Sequence, residues 1–191
     1  LLALARAGAL GGFGLDRRQA IWAVRGLVAE RVSDGLALEG QVQPERMPRF
    51  AGLGGAEEVS WDYRESLHST RGHPIARLRP QLVERGIPSA IEIAAMKSGR
   101  RARYVGLVIC RQRPGTASGV TFMTLEDETG FVNLVVWRDV FERHRTVGKT
   151  AVLLEVEGKI QSEHGVVHLI AETLREPELR IGDVPRSRDF H

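Results

Sequence analysis

Cysteine is almost absent from this chain. Cys110 is the only cysteine among 191 residues, so an intramolecular disulfide is excluded, and one thiolate alone cannot build a cysteine-ligated zinc site. We therefore expect a protein that works in the reducing cytoplasm. We interpret Cys110 as a small apolar residue buried inside a strand.

Long apolar runs are also missing. The apolar stretch at residues 1–5 is interrupted by Arg6 and Gly8, and it falls far short of the ~20 residues that a membrane-spanning helix needs. It also lacks the charged start and the cleavage pattern of a signal peptide. We expect no membrane partner. Because the chain starts without methionine in a helix-like pattern, we expect it to be part of a longer protein.

Motifs of the common catalytic sites do not occur. The sequence has no Walker loop, no His-Glu-x-x-His helix and no Ser-His-Asp order. Glu126, Asp127 and Glu128 are consecutive and precede Gly130, which is typical of a turn and not of paired carboxylates that hold two metal ions. We predict no catalytic residue, metal ligand or cofactor within this chain.

Positive charge is concentrated in one segment. Residues 97–113 contain six cations and neither Asp nor Glu; the cations are Lys97, Arg100, Arg101, Arg103, Arg111 and Arg113. Such a segment attracts anions, and arginine and lysine neutralise nucleic-acid phosphates. We predict that these six bind nucleic acid, and that Lys159 and His164 add contacts. The alternative is a solvated strand entry with no ligand.

Helical patterns dominate the first hundred residues. Asp16 and Gln19 have the spacing of a capping box ahead of an apolar stripe, which predicts a helical hairpin over residues 1–32. Residues 33–100 are predicted to be a Gly- and Pro-containing linker with connector helices at Ala56–Leu67 and Ile75–Arg85.

From residue 101 the pattern becomes that of strands. We predict strands at 103–113, 119–126, 131–137, 150–160 and 166–174, with a short helix at 139–145. Three strands, a helix and two strands is the order of an OB barrel, which binds ligands across its second and third strands. We therefore predict an α+β chain, with N-terminal short helices and a linker followed by a five-stranded OB-fold β-barrel at 101–175 and a basic C-terminal tail at 176–191.

Three aromatic residues lie in or next to the strands of the expected binding face, namely Phe122, Phe131 and Trp137. An exposed ring stacks on a base at ~1–3 kcal/mol each. Because Phe131 and Trp137 share parity with Asn133, we predict that this side of the third strand is exposed and contributes to nucleic-acid binding. The opposite side, with Val132, Leu134 and Val136, should then form the core. In the alternative, the rings themselves fill the core.

Several stretches resemble a known family. Residues 119–130, 132–137 and 140–141 closely resemble the OB segment of the bacterial C-family replicative DNA polymerases, and more specifically that of their error-prone, alpha-type paralogue. Residues 187–191 are similar to the C-terminus of that paralogue. Residues 4–10 and 16–22 resemble the end of the family's tandem helix-hairpin-helix region, and Asp62-Tyr63 and His73-Pro74 resemble its connector.

The resemblance implies the single-stranded DNA-binding C-terminal portion of an error-prone DNA polymerase involved in translesion synthesis and damage-induced mutagenesis. The palm carboxylates and fingers of the family lie outside this chain, so nucleotidyltransferase activity with magnesium is implied for the parent protein only. Two alternatives stay open: a protein-docking module that recruits a clamp-linked translesion subunit, and a tRNA-binding OB domain.

Overall fold

The structure, a computed structural model of the 191-residue chain, describes residues 1–33, 48–66, 68–115, 119–163 and 165–179, with the backbone alone at 28–33. The chain divides into two compact units, Leu1–Arg71 and Gly72–His191. The division falls inside the predicted linker and connector segment 33–100. The prediction of a basic tail is wrong, since residues 176–191 contain three arginines and four acidic residues. Residues 180–191 of this tail, and His164, lie outside the described residues.

The first unit is helical. It contains α1 (Leu2–Arg6), a 3₁₀ turn (Gly11–Phe13), α2 (Arg17–Ser33) and α3 (Gly55–Ser66). The predicted capping box is confirmed, because the Asp16 amide donates to Gln19 Oε1 at 2.9 Å and the Gln19 amide donates to Asp16 Oδ1 at 2.8 Å. The pair fixes the point at which α2 begins.

A buried ion pair holds the first unit together, since its apolar core is small. Ala5, Ala20 and Val24 are buried there. The buried Arg17 Nη2 lies 2.5 Å from Asp62 Oδ1 and 3.6 Å from Glu58 Oε2. Burial raises the pKa of Asp62, but hydrogen bonds from Arg17 and Ser69 outweigh it and leave this pKa below its ordinary value.

Short helices open the second unit. Its elements are a 3₁₀ turn (Pro74–Arg77), α4 (Arg79–Glu84) and α5 (Ala90–Ala94). The single helix predicted at 75–85 is therefore divided, and α5 was not predicted. A capping box starts α5, in which Ser89 Oγ accepts from the Glu92 amide and Glu92 Oε2 accepts from the Ser89 amide.

A closed five-stranded barrel follows and confirms the predicted fold. Its strands are β1 (Arg101–Gln112), β2 (Thr121–Asp127), β3 (Gly130–Val136), β4 (Leu153–Glu163) and β5 (Val166–Arg175). They are ordered β1-β2-β3-β5-β4, with β3 and β5 parallel and the other pairs antiparallel. Between β3 and β4 lie α6 (Arg138–Arg143) and α7 (Arg145–Thr150), where one helix was predicted.

Close packing explains two glycines of the barrel. A Cβ on Gly106 would lie 2.8 Å from the side chains of Leu125 and Tyr104, and a Cβ on Gly158 would lie 2.0 Å from the Ile170 carbonyl oxygen. The bulge of β1 lies at Val108–Cys110, and β5 has a bulge between Ala171 and Thr173, opposite Glu157 and Gly158 of β4. The prediction that Cys110 is fully buried is wrong, because β1 beyond its bulge turns this side chain partly toward solvent.

Within the described part of the chain, we find no helix with the length and apolarity that membrane crossing requires.

Candidate nucleic-acid interface

The outer face of the barrel consists of side-chain rows that run across the strands. Directly paired residues of adjacent strands point to the same side of a sheet. One row, named here the basic row, consists of Gln112, Phe122, Val135, Ile170, Lys159 and Arg101. The next, the middle row, consists of Cys110, Thr124, Asn133, His168 and Gln161.

A third row, the acidic row, consists of Glu126, Phe131, Val166 and Glu163. Glu126 pairs with Phe131, and Glu163 pairs with Val166. Asn133 is paired with His168 in the parallel β3–β5 ladder, and two residues earlier in both strands the same register places Phe131 beside Val166. The three rows therefore differ in charge from one end of the face to the other.

All three predicted rings are exposed to solvent. The exposed fraction is 62% for Phe131, 53% for Trp137 and 38% for Phe122. The alternative in which these rings fill the barrel core is therefore wrong. The predicted alternation along β3 is confirmed, because the opposite side is buried, with Val132, Leu134 and Val136 in the core.

One arginine lies beside Trp137, and another follows the Gln112 end of the basic row. Trp137 directly precedes α6, and the exposed Arg138 follows it and packs over Gly119, where a Cβ would meet Arg138 Cδ at 3.0 Å. Arg113 lies over the Phe141 ring, with its guanidinium carbon 5.6 Å from the ring centroid, and 3.7 Å from Glu142. Arg138 thus follows the exposed Trp137, whereas Arg113 covers the buried ring of Phe141.

A second group of cations lies at the opposite end of the basic row, on β4 and β1. Lys159 and Arg101 are directly paired and exposed. The preceding segment runs along β4, because the Gly99 amide donates to the Ile160 carbonyl at 2.7 Å and the Ile160 amide donates to the Arg100 carbonyl at 2.8 Å. The exposed Lys97 and Arg100 belong to this segment.

Two of the predicted arginines bind a buried carboxylate or backbone carbonyls of the protein. Arg103 Nη2 lies 2.9 Å from the buried carboxylate of Glu155. Arg111 Nε donates to the Gly148 carbonyl at 2.9 Å, and its Nη2 donates to the Ala151 carbonyl, so this arginine binds the end of α7. Burial lowers the pKa of Arg111. Of the six predicted cations, the structure thus brings Arg101 into the basic row, Arg100 next to it, and Arg113 next to its Gln112 end. Lys97 precedes Ser98, whose Oγ accepts from the Ser162 amide at 3.3 Å, and so lies near the end of β4. Arg103 and Arg111 bind protein groups instead.

Sequence reasoning missed other residues on this face. His168 and Gln161 in the middle row, and Arg138 beside Trp137, were not predicted. The alternation of β5 could have identified His168, because Leu169 and Ala171 are buried neighbours of opposite parity. Gln161 was assigned to a turn, whereas β4 extends to Glu163.

The acidic residues at the β2–β3 turn form a structural ion pair. Asp127 is buried and accepts hydrogen bonds from Arg79 Nη2 and from the Ala90 amide, both at 2.8 Å. Its Oδ1 accepts from the Thr129 amide at 2.7 Å, a turn geometry. Among the described residues, no three His, Cys, Asp or Glu side chains are grouped so that they could hold a metal ion.

Comparisons with known proteins agree with the fold. Residues 103–177 match the family model described as an OB-fold nucleic acid binding domain. The chain is 41% identical over 209 residues to a protein from Caulobacter vibrioides named error-prone DNA polymerase, with 98% of this chain and 19% of that protein covered. It is 47% identical over 190 residues to a protein of the same name from Pseudomonas fluorescens, with 98% and 18% covered. The chain thus spans less than a fifth of each of these relatives.

Among solved structures, the chain is similar to asparaginyl-tRNA synthetase from Pyrococcus horikoshii complexed with asparaginyl-adenylate. The TM-score is 0.41 at 24% identity, with 47% of this chain and 22% of that chain covered.

Proposed function

We propose that this chain is the single-stranded DNA-binding portion of a bacterial error-prone DNA polymerase. The chain is homologous over nearly its whole length to one segment of these polymerases. Its barrel also matches an OB-fold nucleic acid binding domain. The parent enzyme would act in translesion synthesis and damage-induced mutagenesis. Its magnesium-dependent nucleotidyl transfer would belong to the remainder of the protein.

The observation that carries the proposal is the exposure of Phe122 and Trp137 on a face with cations at both ends. An exposed ring on a strand costs hydration energy and gains ~1–3 kcal/mol for each base that stacks on it. Arg113 follows Gln112 at one end of the basic row, Arg138 follows Trp137, and Lys159 and Arg101 lie at the other end of the row. Phosphates bound at the two ends would hold the bases over the rings.

The strand would cross the basic row and the middle row. Asn133 and His168 offer polar groups to base edges, and Asn133 Oδ1 already accepts from Thr124 Oγ1 at 3.2 Å. Contacts of this kind discriminate little between bases, so we expect binding that tolerates any sequence. Arg101 is ion-paired with Glu172 on the surface, and an exposed pair is worth less than about 1 kcal/mol, so Arg101 can exchange this carboxylate for a phosphate.

The test is fluorescence anisotropy of a labelled oligothymidylate of about 15 nucleotides, which covers the site sizes of OB folds, at low and high salt. Trp137→Ala should weaken binding by roughly 5- to 150-fold, the equivalent of one stacked base. The matched control is Val83→Ala, which removes an exposed apolar side chain of α4, outside the three rows.

Three outcomes separate the candidates. Binding that weakens with salt and is lost in Trp137→Ala supports the proposal. Absence of binding at low salt by the folded chain contradicts it. Stronger binding of an RNA oligonucleotide of equal length would favour a tRNA-binding barrel.

A further inference from the structure

The two helices between β3 and β4 have a strongly charged outer side. Their inner side is apolar, with Val140 and Phe141 in the barrel core. The outer side carries exposed threonines and six exposed charges, which belong to Arg138, Arg143, Arg145, Lys149, Asp139 and Glu142. Centres of protein interfaces are enriched in aromatic residues and depleted in lysine and acids. This composition therefore favours a charged ligand over a protein partner.

The charges divide between two faces of the helices, because residues three or four apart lie on the same face. On one face Arg143 Nη2 lies 3.6 Å from Asp139 Oδ2, so that the two charges balance. On the other face Arg145 Nε lies 3.8 Å from Glu142 Oε2, and Lys149 follows Arg145 by four residues. Lys149 is exposed and has no ion-pair partner among the described residues. The second face therefore has an excess of positive charge.

A third cation joins the second face from the end of β1. Arg113 Nη2 lies 3.7 Å from Glu142 Oε1, on the same carboxylate that Arg145 approaches. We name Arg113, Arg145 and Lys149 the helix patch. The two arginines share one acid at distances beyond those of hydrogen bonds, and exposed pairs of this kind are worth less than about 1 kcal/mol. A phosphate can therefore replace Glu142 as the partner of either arginine.

The helix patch continues the basic row. Gln112 is paired with Phe122 at the end of that row, and Arg113 is the next residue. From Arg113 the contacts lead through Glu142 to Arg145, and Lys149 lies about 6 Å further along α7 at the rise of a helix. A nucleic-acid strand that stacks on Phe122 and continues past Gln112 thus meets these cations in succession.

We propose that the helix patch is a second phosphate-binding site, which holds the backbone of a single-stranded nucleic acid where the strand leaves the barrel face. This inference rests on the proposed function and extends the proposed track from the barrel strands onto α7. Arg145 and Lys149 neutralise phosphates there. Because the outer side of α6 and α7 offers charges and hydroxyl groups but no stacking surface, the site adds affinity and salt dependence without a preference for particular bases.

Fluorescence anisotropy tests the inference with a short and a long oligothymidylate, of about 5 and about 15 nucleotides, within the range that one OB fold covers. Lys149→Glu should weaken binding of the long oligonucleotide about fivefold or more at low salt, and should decrease the slope of log K against log salt by about 1. The short oligonucleotide, which covers only the barrel face, should bind this variant as it binds the wild type.

The matched control is Arg143→Glu, which makes the same change of charge on the balanced face of the same helices and should affect neither oligonucleotide. Both side chains are exposed, so both variants should keep the fold, which thermal melting verifies. If Arg143→Glu weakens the long oligonucleotide as much as Lys149→Glu does, total charge explains the effect and the proposed site is wrong. If Lys149→Glu weakens both oligonucleotides equally, the helix patch does not extend the track.

Two further results would also overturn the inference. If polyglutamate binds the wild type as tightly as the long oligonucleotide does, the helix patch is a site for acidic protein segments. If binding of the long oligonucleotide depends on Trp137 but is unchanged in Lys149→Glu, the helix patch is refuted and the proposed function stands. A wild-type chain that binds neither oligonucleotide would refute both.

Discussion

Arg79 Nη2 lies 2.8 Å from Asp127 Oδ2, so that a residue at the start of α4 binds the buried carboxylate that begins the β2–β3 turn. The Ala90 amide at the start of α5 donates to the same oxygen atom. One carboxylate thereby ties both helices to the barrel.

Replacing Arg79 by alanine should destabilise the second unit. The variant leaves the Asp127 carboxylate buried without its cation, and losing one partner of a buried ion pair costs about 3–5 kcal/mol. Urea unfolding measures the change in the free energy of unfolding. Arg77→Ala in the preceding 3₁₀ turn is the control, because Arg77 is exposed. Equal stability of the two variants would contradict the role assigned to Arg79.

The substitution Gly158→Ala should destabilise the barrel strongly, although it adds only one methyl group. The added Cβ would lie 2.0 Å from the Ile170 carbonyl oxygen, which belongs to the paired backbone of β5. Because backbone must shift to accommodate it, we expect a loss of at least about 2 kcal/mol. The control is Gly115→Ala. A Cβ on Gly115 would have no atom within 4 Å, so this substitution should change the melting temperature little. A melting temperature of Gly158→Ala equal to that of the wild type would refute the prediction.

Acid should destabilise the barrel through Glu155. Burial raises the pKa of Glu155, but Arg175 and Arg103 outweigh burial and leave it below the ordinary 4.5. A lowered pKa in the folded state stabilises the protein above pH 4.5, and this stabilisation is lost as pH falls through the folded-state pKa.

The variant Arg175→Gln tests whether Glu155 is the cause of this loss of stability in acid. The substitution removes the hydrogen bond at 2.6 Å to Glu155 Oε1, so the pKa of Glu155 rises and the acid-induced loss of stability begins at a higher pH. Melting temperatures measured from neutral to acidic pH detect this shift. Arg143→Gln changes only a surface pair at 3.6 Å and should keep the wild-type profile.

The first unit should unfold more easily in the variant Arg17→Met. It should not do so in Arg18→Ala, which also removes one positive charge. Arg17 is buried against Asp62, whereas Arg18 and its partner Glu57 are both partly exposed. We expect a loss of about 3 kcal/mol for the buried pair and less than about 1 kcal/mol for the exposed one. The guanidinium of Arg17 lies 5.9 Å from the Trp61 ring, so tryptophan fluorescence reports the transition.

Lys159→Ala should reduce the salt dependence of oligonucleotide binding. If the ammonium group neutralises one phosphate, the slope of log K against log salt decreases by about 1, uniformly for all sequences. Arg77→Ala removes a cation outside the rows and should leave the slope unchanged. A slope that Lys159→Ala does not alter would remove this residue from the proposed track.

The barrel could be predicted from the sequence because its signals are local. Alternation along β3 separates Phe131 and Asn133 from the buried Val132 and Leu134, and Gly130 marks the turn before it. The start of α2 was readable for the same reason, since the Asp16 and Gln19 capping box spans three residues.

The roles of individual arginines could not be predicted, because their partners are remote in sequence. Arg103 and Glu155 are 52 residues apart, and Arg111 and the Gly148 carbonyl are 37 residues apart. A run of cations without neighbouring acids therefore predicted six ligand-binding side chains, although folding brings protein acceptors to Arg101, Arg103, Arg111 and Arg113. Helix α5 is a different case from the arginines. It was not predicted, although Ser89 and Glu92 form a local sequence signal for the start of a helix.

Closure of the barrel limits how this domain can change its ligand. Each strand has a neighbour on both sides, and β1 pairs with β4 through Arg101–Leu107 and with β2 through Leu107–Gln112. The outward side chains of these paired strands form the rows on which recognition depends. Replacing the side chains of one row by mutation would alter what that row binds while the hydrogen-bonded framework stays unchanged, so the ligand preference of this domain can change without a change in its backbone.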